Sequence, residues 1–187
     1  MSNVYKFIIM FTAVCILIAC KKPLTVQEIP AHIVVGEDYY TQYTIQYEKG
    51  RHVTTNYRRG ATLPVNTEVT LQSIDHKNIE IIVKQTGMPL TIANIEKHTG
   101  KDIWQIFDAL LKKHPLNLKN FTVAERDHIK AGKVTSKMRK KAVIAAIGYP
   151  PITETYSLDA DTWVYWSGRF NRFNVDFKND KVIKITD

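Results

Sequence analysis

The chain has 187 residues, which is enough for one ordinary domain or two small ones. Hydrophobic residues make up 44% and charged residues 24%, so the composition is that of a globular protein and excludes a low-complexity chain. The formal net charge of +8 permits an acidic partner, but charge spread along a chain also serves ordinary solubility.

Residues 1–19 differ from the rest of the chain. Lys6 is their only charged side chain, and an uncharged, largely apolar run extends from Phe7 to Ala19. This run is shorter than the roughly 20 residues that a membrane-spanning helix needs. A basic start followed by a short apolar run is typical of a secretory signal peptide, which we expect residues 1–19 to form.

The sequence Leu17-Ile18-Ala19-Cys20 resembles the lipobox of bacterial lipoproteins. The resemblance implies that the Cys20 thiol receives a diacylglyceryl group, that cleavage precedes Cys20, and that the new amino terminus is acylated. By the same family's sorting rule, Lys21 in place of Asp implies the outer membrane, with the protein facing the periplasm. Cys15 would leave with the signal peptide, so no internal disulfide is expected. The alternative is a signal anchor in which Cys20 has no role.

After a tether at residues 20–38, with a possible short strand at 32–35, turn residues separate several β-type segments. Strands are predicted at 39–47, 53–57, 63–74, 79–84 and 90–95. Short, closely spaced strands predict a small barrel or a curled sheet. The stretch from Gly60 to Leu71 resembles the start of bacterial SH3-like barrels, where a glycine usually replaces Asn66.

A helix is predicted to follow these strands. Ile103, Ile106, Phe107, Leu110 and Leu111 have helical spacing, and Asp102 and Lys112-Lys113 suit its two ends. We therefore assign residues 39–116 to an SH3-like β-rich module with a C-terminal helix.

The polar stretch 117–121 marks a boundary, and residues 117–187 predict a second module. Thr122 and Glu125 have capping-box spacing and begin a helix that ends near Gly132. A second helix is predicted at 136–147, with Gly148 as a left-handed stop. Strands are predicted at 162–166, 172–177 and 181–185, which gives a two-layer ααβββ unit and an α+β fold class overall.

This second module resembles the SmpA/OmlA domain of BamE-like outer-membrane lipoproteins. The matching residues are Met138, Val143, Gly148, Pro150, Trp163, Tyr165, Val175 and Phe177. Lys137 stands where that pattern has a glycine, so we expect a different turn into the second helix. The resemblance implies a role in assembling or stabilising envelope proteins, although related ααβββ modules also occur in inhibitors and other periplasmic proteins.

Residue patterns for enzymatic chemistry are sparse. The six histidines have no zinc-site spacing, and neither a phosphate-binding glycine loop nor G-x-S-x-G occurs. Asp159 and Asp161 fit a turn better than an acid/base pair. We expect no catalytic residues, no metal and no cofactor beyond the lipid on Cys20, with a periplasmic hydrolase as the least favoured alternative.

Candidate binding residues are aromatic or basic and lie near turns: Tyr149, Trp166, Arg169, Arg172, Arg58 and Arg59. Trp163 and Trp166 should lie on opposite faces of their strand, one of them in the core. The expected partners are membrane lipid through Cys20 and outer-membrane assembly proteins. Anionic lipid or peptidoglycan binding near Arg58-Arg59 is the alternative, and nucleic acid is not expected outside the cytoplasm.

Overall fold

The structure is a computed structural model that describes residues 29–187. The predictions for the signal peptide and for Cys20 lie outside the described residues. The fold is a mixed α+β arrangement with few helices and a curled sheet that forms a half-barrel, so the predicted α+β class is confirmed.

Residues 29–116, here called the first unit, carry most of the strands. Their elements are β1 (Asp38–Thr41), β2 (Ile45–Tyr47), β3 (Arg51–Val53), β4 (Ala61–Leu63), β5 (Glu68–Ile74), β6 (Asn78–Val83), β7 (Met88–Ala93), α1 (Glu96–Thr99), α2 (Ile103–Leu110) and β8 (Leu111–Lys112). The main sheet has the order β3-β7-β6-β5-β1-β8, and β2 pairs with β4. The apolar side of α2, including Phe107 and Leu110, is buried in the same core as the inward residues of this sheet.

Residues 117–187, here called the second unit, contain a 3₁₀ turn (Leu118–Asn120), two α-helices and three strands. The helices and strands are α3 (Val123–Ala131), α4 (Lys140–Ile147), β9 (Thr162–Trp166), β10 (Arg172–Lys178) and β11 (Lys181–Thr186). The antiparallel sheet has the order β11-β10-β9. Trp163 is fully buried while Trp166 is half-buried, as the strand alternation predicts.

The capping box at Thr122 and Glu125 is present and starts α3. Gly148 follows α4 with φ of 77°, although its ψ of −168° is not that of the left-handed stop we expected. A Cβ at Gly148 would lie 2.9 Å from Cδ2 of Tyr43, so the close approach of the two units requires glycine there.

The predicted strand at 39–47 is wrong in one respect, because it is two strands. β1 ends at Thr41 and β2 begins at Ile45, since Thr44 between them bonds to the second unit. Its N–H donates to the Ala145 carbonyl (3.1 Å) and its hydroxyl to the Ile129 carbonyl (3.3 Å). A two-residue alternation cannot reveal partners about 100 residues away.

Other elements begin or end at residues that differ from the predicted ones. Residues 32–35 form no strand, and the segment predicted at 53–57 has its strand at Arg51–Val53. The segment 63–74 is divided by a turn in which Asn66 has φ of 62°. Helix α2, which was expected to continue to Lys112-Lys113, ends at Leu110 because Leu111–Lys112 forms β8 and pairs with β1.

The second helix of the second unit begins at Lys140, later than predicted. The N–H of Lys137 donates to the Val182 carbonyl (2.7 Å), and the N–H of Val182 donates to the Met138 carbonyl (2.8 Å). These residues therefore pair with β11 before the helix starts. We expected a different turn here because Lys137 replaces the glycine of the BamE-like pattern. Lys137 nevertheless has φ of 72°, in the region that favours glycine, so the backbone shows no such difference.

Candidate functional site

The C-terminal ends of α3 and α4 meet hydrogen-bond donors from the first unit. This contact, here called the junction, holds the two units together next to the candidate site. The side chain of Arg58 donates to the carbonyls of Gly132 (3.2 Å) and Ile147 (3.5 Å). The Asn56 amide donates to the carbonyls of Ile147 (2.7 Å) and Tyr149 (3.1 Å). Unpaired carbonyls at helix C-termini favour cations and donors, so this junction ties the two units together.

The two arginines of the predicted basic turn have different surroundings. Burial lowers the pKa of Arg58 to about 10, and its backbone N–H donates to the Trp166 carbonyl (3.0 Å). Arg59 lies outside the junction and forms an ion pair with Glu48 (2.7 Å). The turn therefore presents one paired arginine to solvent rather than a cluster of two.

The segment 149–158, here called the Pro150 loop, connects α4 to β9 and is fixed at several points. The N–H of Ile152 donates to the His98 carbonyl (2.8 Å), and Thr153 Oγ1 lies 3.1 Å from Nδ1 of the same histidine. The N–H of Val164 donates to Thr155 Oγ1 (2.9 Å). The loop is therefore held against both α1 and β9.

A cleft of about 190 Å³ lies between the Pro150 loop and the first unit. Apolar and aromatic side chains from both units line it, among them Tyr43, Ile106, Ala109, Tyr149, Ile152 and Leu158. None of the described lining residues is Asp or Glu. Tyr156, which is 91% exposed, stands at the same cleft.

Two ionisable side chains that line the cleft, His52 and Tyr43, have pKa values shifted by burial. Burial lowers the pKa of His52 to about 4, and its Nδ1 lies 2.8 Å from the Gln46 carbonyl. Burial raises the pKa of Tyr43, whose ring packs edge-on against Tyr149 at 5.7 Å. Asn56 is 4% exposed, and within residues 29–187 its Oδ1 has no hydrogen-bond partner.

The other candidate residues lie on the hairpin between β9 and β10, which is next to His98. Arg172 lies 4.5 Å over the Trp166 ring and pairs with Glu154 of the Pro150 loop (3.2 Å). The Trp166 ring is 6.4 Å from that of His98, which also lines the cleft. Arg169 is exposed beside Phe170, which is 85% exposed. Tyr149, Trp166, Arg169 and Arg172 therefore lie on or around the Pro150 loop and the hairpin next to it.

Sequence reasoning missed the four side chains that give this region its apolar character: Ile152, Tyr156, Leu158 and Phe170. Tyr156, Leu158 and Phe170 stand between polar neighbours and Ile152 follows two prolines, so no periodic pattern separates these exposed residues from buried ones. The signal that was available is the Pro150-Pro151 pair, which predicts a rigid loop.

In residues 29–187, no group of three or more His, Cys, Asp or Glu side chains is placed to share a metal ion. No helix in that part of the chain is long and apolar enough to cross a membrane.

Comparison with known proteins gives no match to this chain, whether against protein-family models, curated proteins or solved structures.

Proposed function

We propose that this chain is a lipid-anchored outer-membrane protein that faces the periplasm and has a non-enzymatic role. In this proposal Cys20 carries a diacylglyceryl group and an N-acyl chain, and the folded part binds another protein of the envelope during its assembly or as a scaffold. The support for the anchor is the lipobox-like sequence at the end of a signal-peptide pattern.

The backbone at two positions is compatible with the two domain resemblances. Asn66 and Lys137 stand where the SH3-like and BamE-like patterns have glycine, and both have positive φ, 62° and 72° respectively. Positive φ is the usual physical reason for a glycine in such a pattern. The element order α3-α4-β9-β10-β11 is compatible with a BamE-like module, and the curled sheet is compatible with an SH3-like one.

The observation that carries the binding role is the clustering of exposed apolar side chains. Ile152, Tyr156 and Leu158 lie in the Pro150 loop around one cleft, and Phe170 lies at the neighbouring hairpin. Exposed apolar and aromatic side chains in the neighbourhood of arginine are typical of protein–protein interfaces. We define the binding face as the Pro150 loop together with the hairpin from Trp166 to Arg172.

A second candidate function is binding to anionic lipid. The pair Arg169 and Phe170 favours it, because a cation beside an exposed aromatic ring suits the lipid headgroup region. The peptidoglycan or lipid site near Arg58-Arg59 has less support, since Arg58 bonds to helix ends and Arg59 to Glu48.

The anchor is tested by replacing Cys20 with Ser. A serine hydroxyl does not form the thioether to diacylglycerol, so we expect the variant to lose acyl labelling and to leave the membrane fraction. Several acyl chains at about 0.8 kcal/mol per buried methylene account for stable attachment.

Cys15→Ser is the matched control, because Cys15 lies inside the predicted signal peptide and should be dispensable. We measure labelling with a radioactive fatty acid and membrane content by fractionation of cells. Unchanged labelling of Cys20→Ser would contradict the anchor.

A further inference from the structure

The cleft beneath the Pro150 loop has the features of a pocket for one side chain. Its volume of about 190 Å³ is below the roughly 300–1,000 Å³ of sites that hold drug-sized ligands. The apolar walls come from Ile106, Ala109, Ile152 and Leu158. A guest of this size is a single ring rather than a whole cofactor.

The rings around the cleft favour an aromatic guest. Tyr43 and Tyr149 already form an edge-on pair with centroids 5.7 Å apart, and Tyr156 stands exposed at the same cleft. Aromatic pairs prefer such edge-on or offset contacts at about 4.5–7 Å. A third ring in the cleft would therefore find aromatic partners that an aliphatic side chain does not.

The polar atoms of the cleft favour a guest that donates a hydrogen bond. Asn56 uses its amide N–H groups on the carbonyls of Ile147 and Tyr149, which leaves its buried Oδ1 without a donor among the described residues. Oδ1 itself is closed to solvent, so a guest N–H or O–H meets it only if the Asn56 side chain shifts, and that contact would recover the roughly 1–3 kcal/mol that an unsatisfied buried acceptor costs. The absence of Asp and Glu from the described lining leaves no carboxylate there to attract a cationic guest.

We infer that the cleft receives a Trp or Tyr side chain from an exposed segment of a partner protein. This inference rests on the proposed protein-binding function and adds the chemistry of the contact. The Pro150 loop is already fixed by His98 and by Val164, so little ordering of the loop opposes binding. The exposed Tyr156 and the neighbouring hairpin supply surface for the rest of the segment.

The test uses the full chain, solubilised in detergent, and three small probes. N-acetyl-tryptophanamide and N-acetyl-tyrosinamide should show saturation transfer from the protein, and N-acetyl-leucinamide should show clearly less. The variant Ala109→Phe fills the cleft without removing a hydrogen bond, and we expect it to weaken aromatic-probe binding by about tenfold or more. Ala131→Phe, at the exposed end of α3, is the matched control and should bind like the original chain.

Equal binding by Ala109→Phe, or leucinamide binding as strong as that of the aromatic probes, would overturn the inference. A loss of binding in both Phe variants would also overturn it, because the effect would not depend on the cleft. Probe binding does not depend on acylation, so the cleft and the anchor are tested separately. A chain that lacks the lipid but still binds the aromatic probes would contradict the anchor and leave the cleft assignment unaffected.

Discussion

Arg58 is a cation that bonds to main-chain carbonyls. In residues 29–187 it has no carboxylate within ion-pair distance, and its described side-chain partners are the carbonyls of Gly132 and Ile147. The negative end of two helix dipoles offsets the desolvation that lowers its pKa to about 10. At neutral pH the guanidinium is therefore charged and forms part of the structure rather than a free binding group.

Replacing Arg58 with Ala should lower the free energy of unfolding by about 2–3 kcal/mol, because carbonyls at two helix ends lose their donor. Arg59→Ala is the matched control. Its ion pair with Glu48 is about half exposed, so its loss should cost less than about 1 kcal/mol. Urea unfolding of both variants measures the difference, and equal losses would show that the junction does not depend on Arg58.

Glu125 provides the clearest pH dependence. Its carboxylate accepts from Arg139 Nε (2.8 Å) and from the Thr122 N–H (2.9 Å), and its side chain is 5% exposed. The Arg139 guanidinium, followed by the backbone N–H groups of Thr122 and Arg139, lowers the pKa of Glu125 to about 2 from an ordinary 4.5.

Because the folded pKa is lowered, the pair stabilises the protein fully above about pH 4.5, and this stabilisation is lost as the pH falls towards 2. Glu125→Gln should therefore be less stable than the original chain at pH 7, and the gap should narrow between pH 4.5 and pH 2. Urea unfolding across this range measures the gap. A gap that stays constant with pH would contradict the assignment.

At the scale of elements, the start of α4 depends on a left-handed residue. Lys137 is exposed, has φ of 72°, and uses its N–H to bond to β11. The left-handed conformation costs a non-glycine residue about 1–2 kcal/mol, against about 0.5–1 kcal/mol of extra backbone entropy for glycine.

Lys137→Gly should therefore raise the free energy of unfolding by about 0.5–1 kcal/mol. The control, Lys141→Gly, places glycine inside α4 and should lower it by about 1 kcal/mol. Thermal melts of the two variants compare them directly. A destabilising Lys137→Gly would mean that the lysine side chain itself matters at this turn.

Predictions from sequence were best where the signal is local. The capping box of α3, the opposite faces of Trp163 and Trp166 and the end of α4 at Gly148 each depend on residues within a few positions. The break between β1 and β2 could not be predicted, because the partners of Thr44 lie in the second unit. The end of α2 at Leu110 likewise depends on the pairing of β8 with β1.

For the whole molecule, the two units form a joined structure. Their buried apolar residues fall into two clusters, yet Val65 of the first unit belongs to the cluster of the second. Thr44, Asn56 and Arg58 bond to helix carbonyls across the junction. The cleft exists because of this joining, since Tyr43 and Ala109 come from one unit and Tyr149 and Leu158 from the other.

Part of the candidate site could be predicted from the sequence. Tyr149 was identified from its place before Pro150-Pro151, but the cleft it lines could not be, because that cleft needs residues from both units. The charge of Arg58 predicts a binding role, which stays a prediction, and its bonds to carbonyls at the helix ends give it a structural role as well.

The most direct test of the proposed function is crosslinking in intact cells. A photo-reactive amino acid replaces Tyr156 in the Pro150 loop or Phe170 in the hairpin, both of which are almost fully exposed. Val123 on α3 is the control position, since it is apolar and 65% exposed but does not line the cleft. We predict that the probes at 156 and 170 crosslink to the same envelope protein and that the probe at 123 does not. Adducts with lipid alone, or equal protein adducts at all three positions, would contradict a protein-binding face.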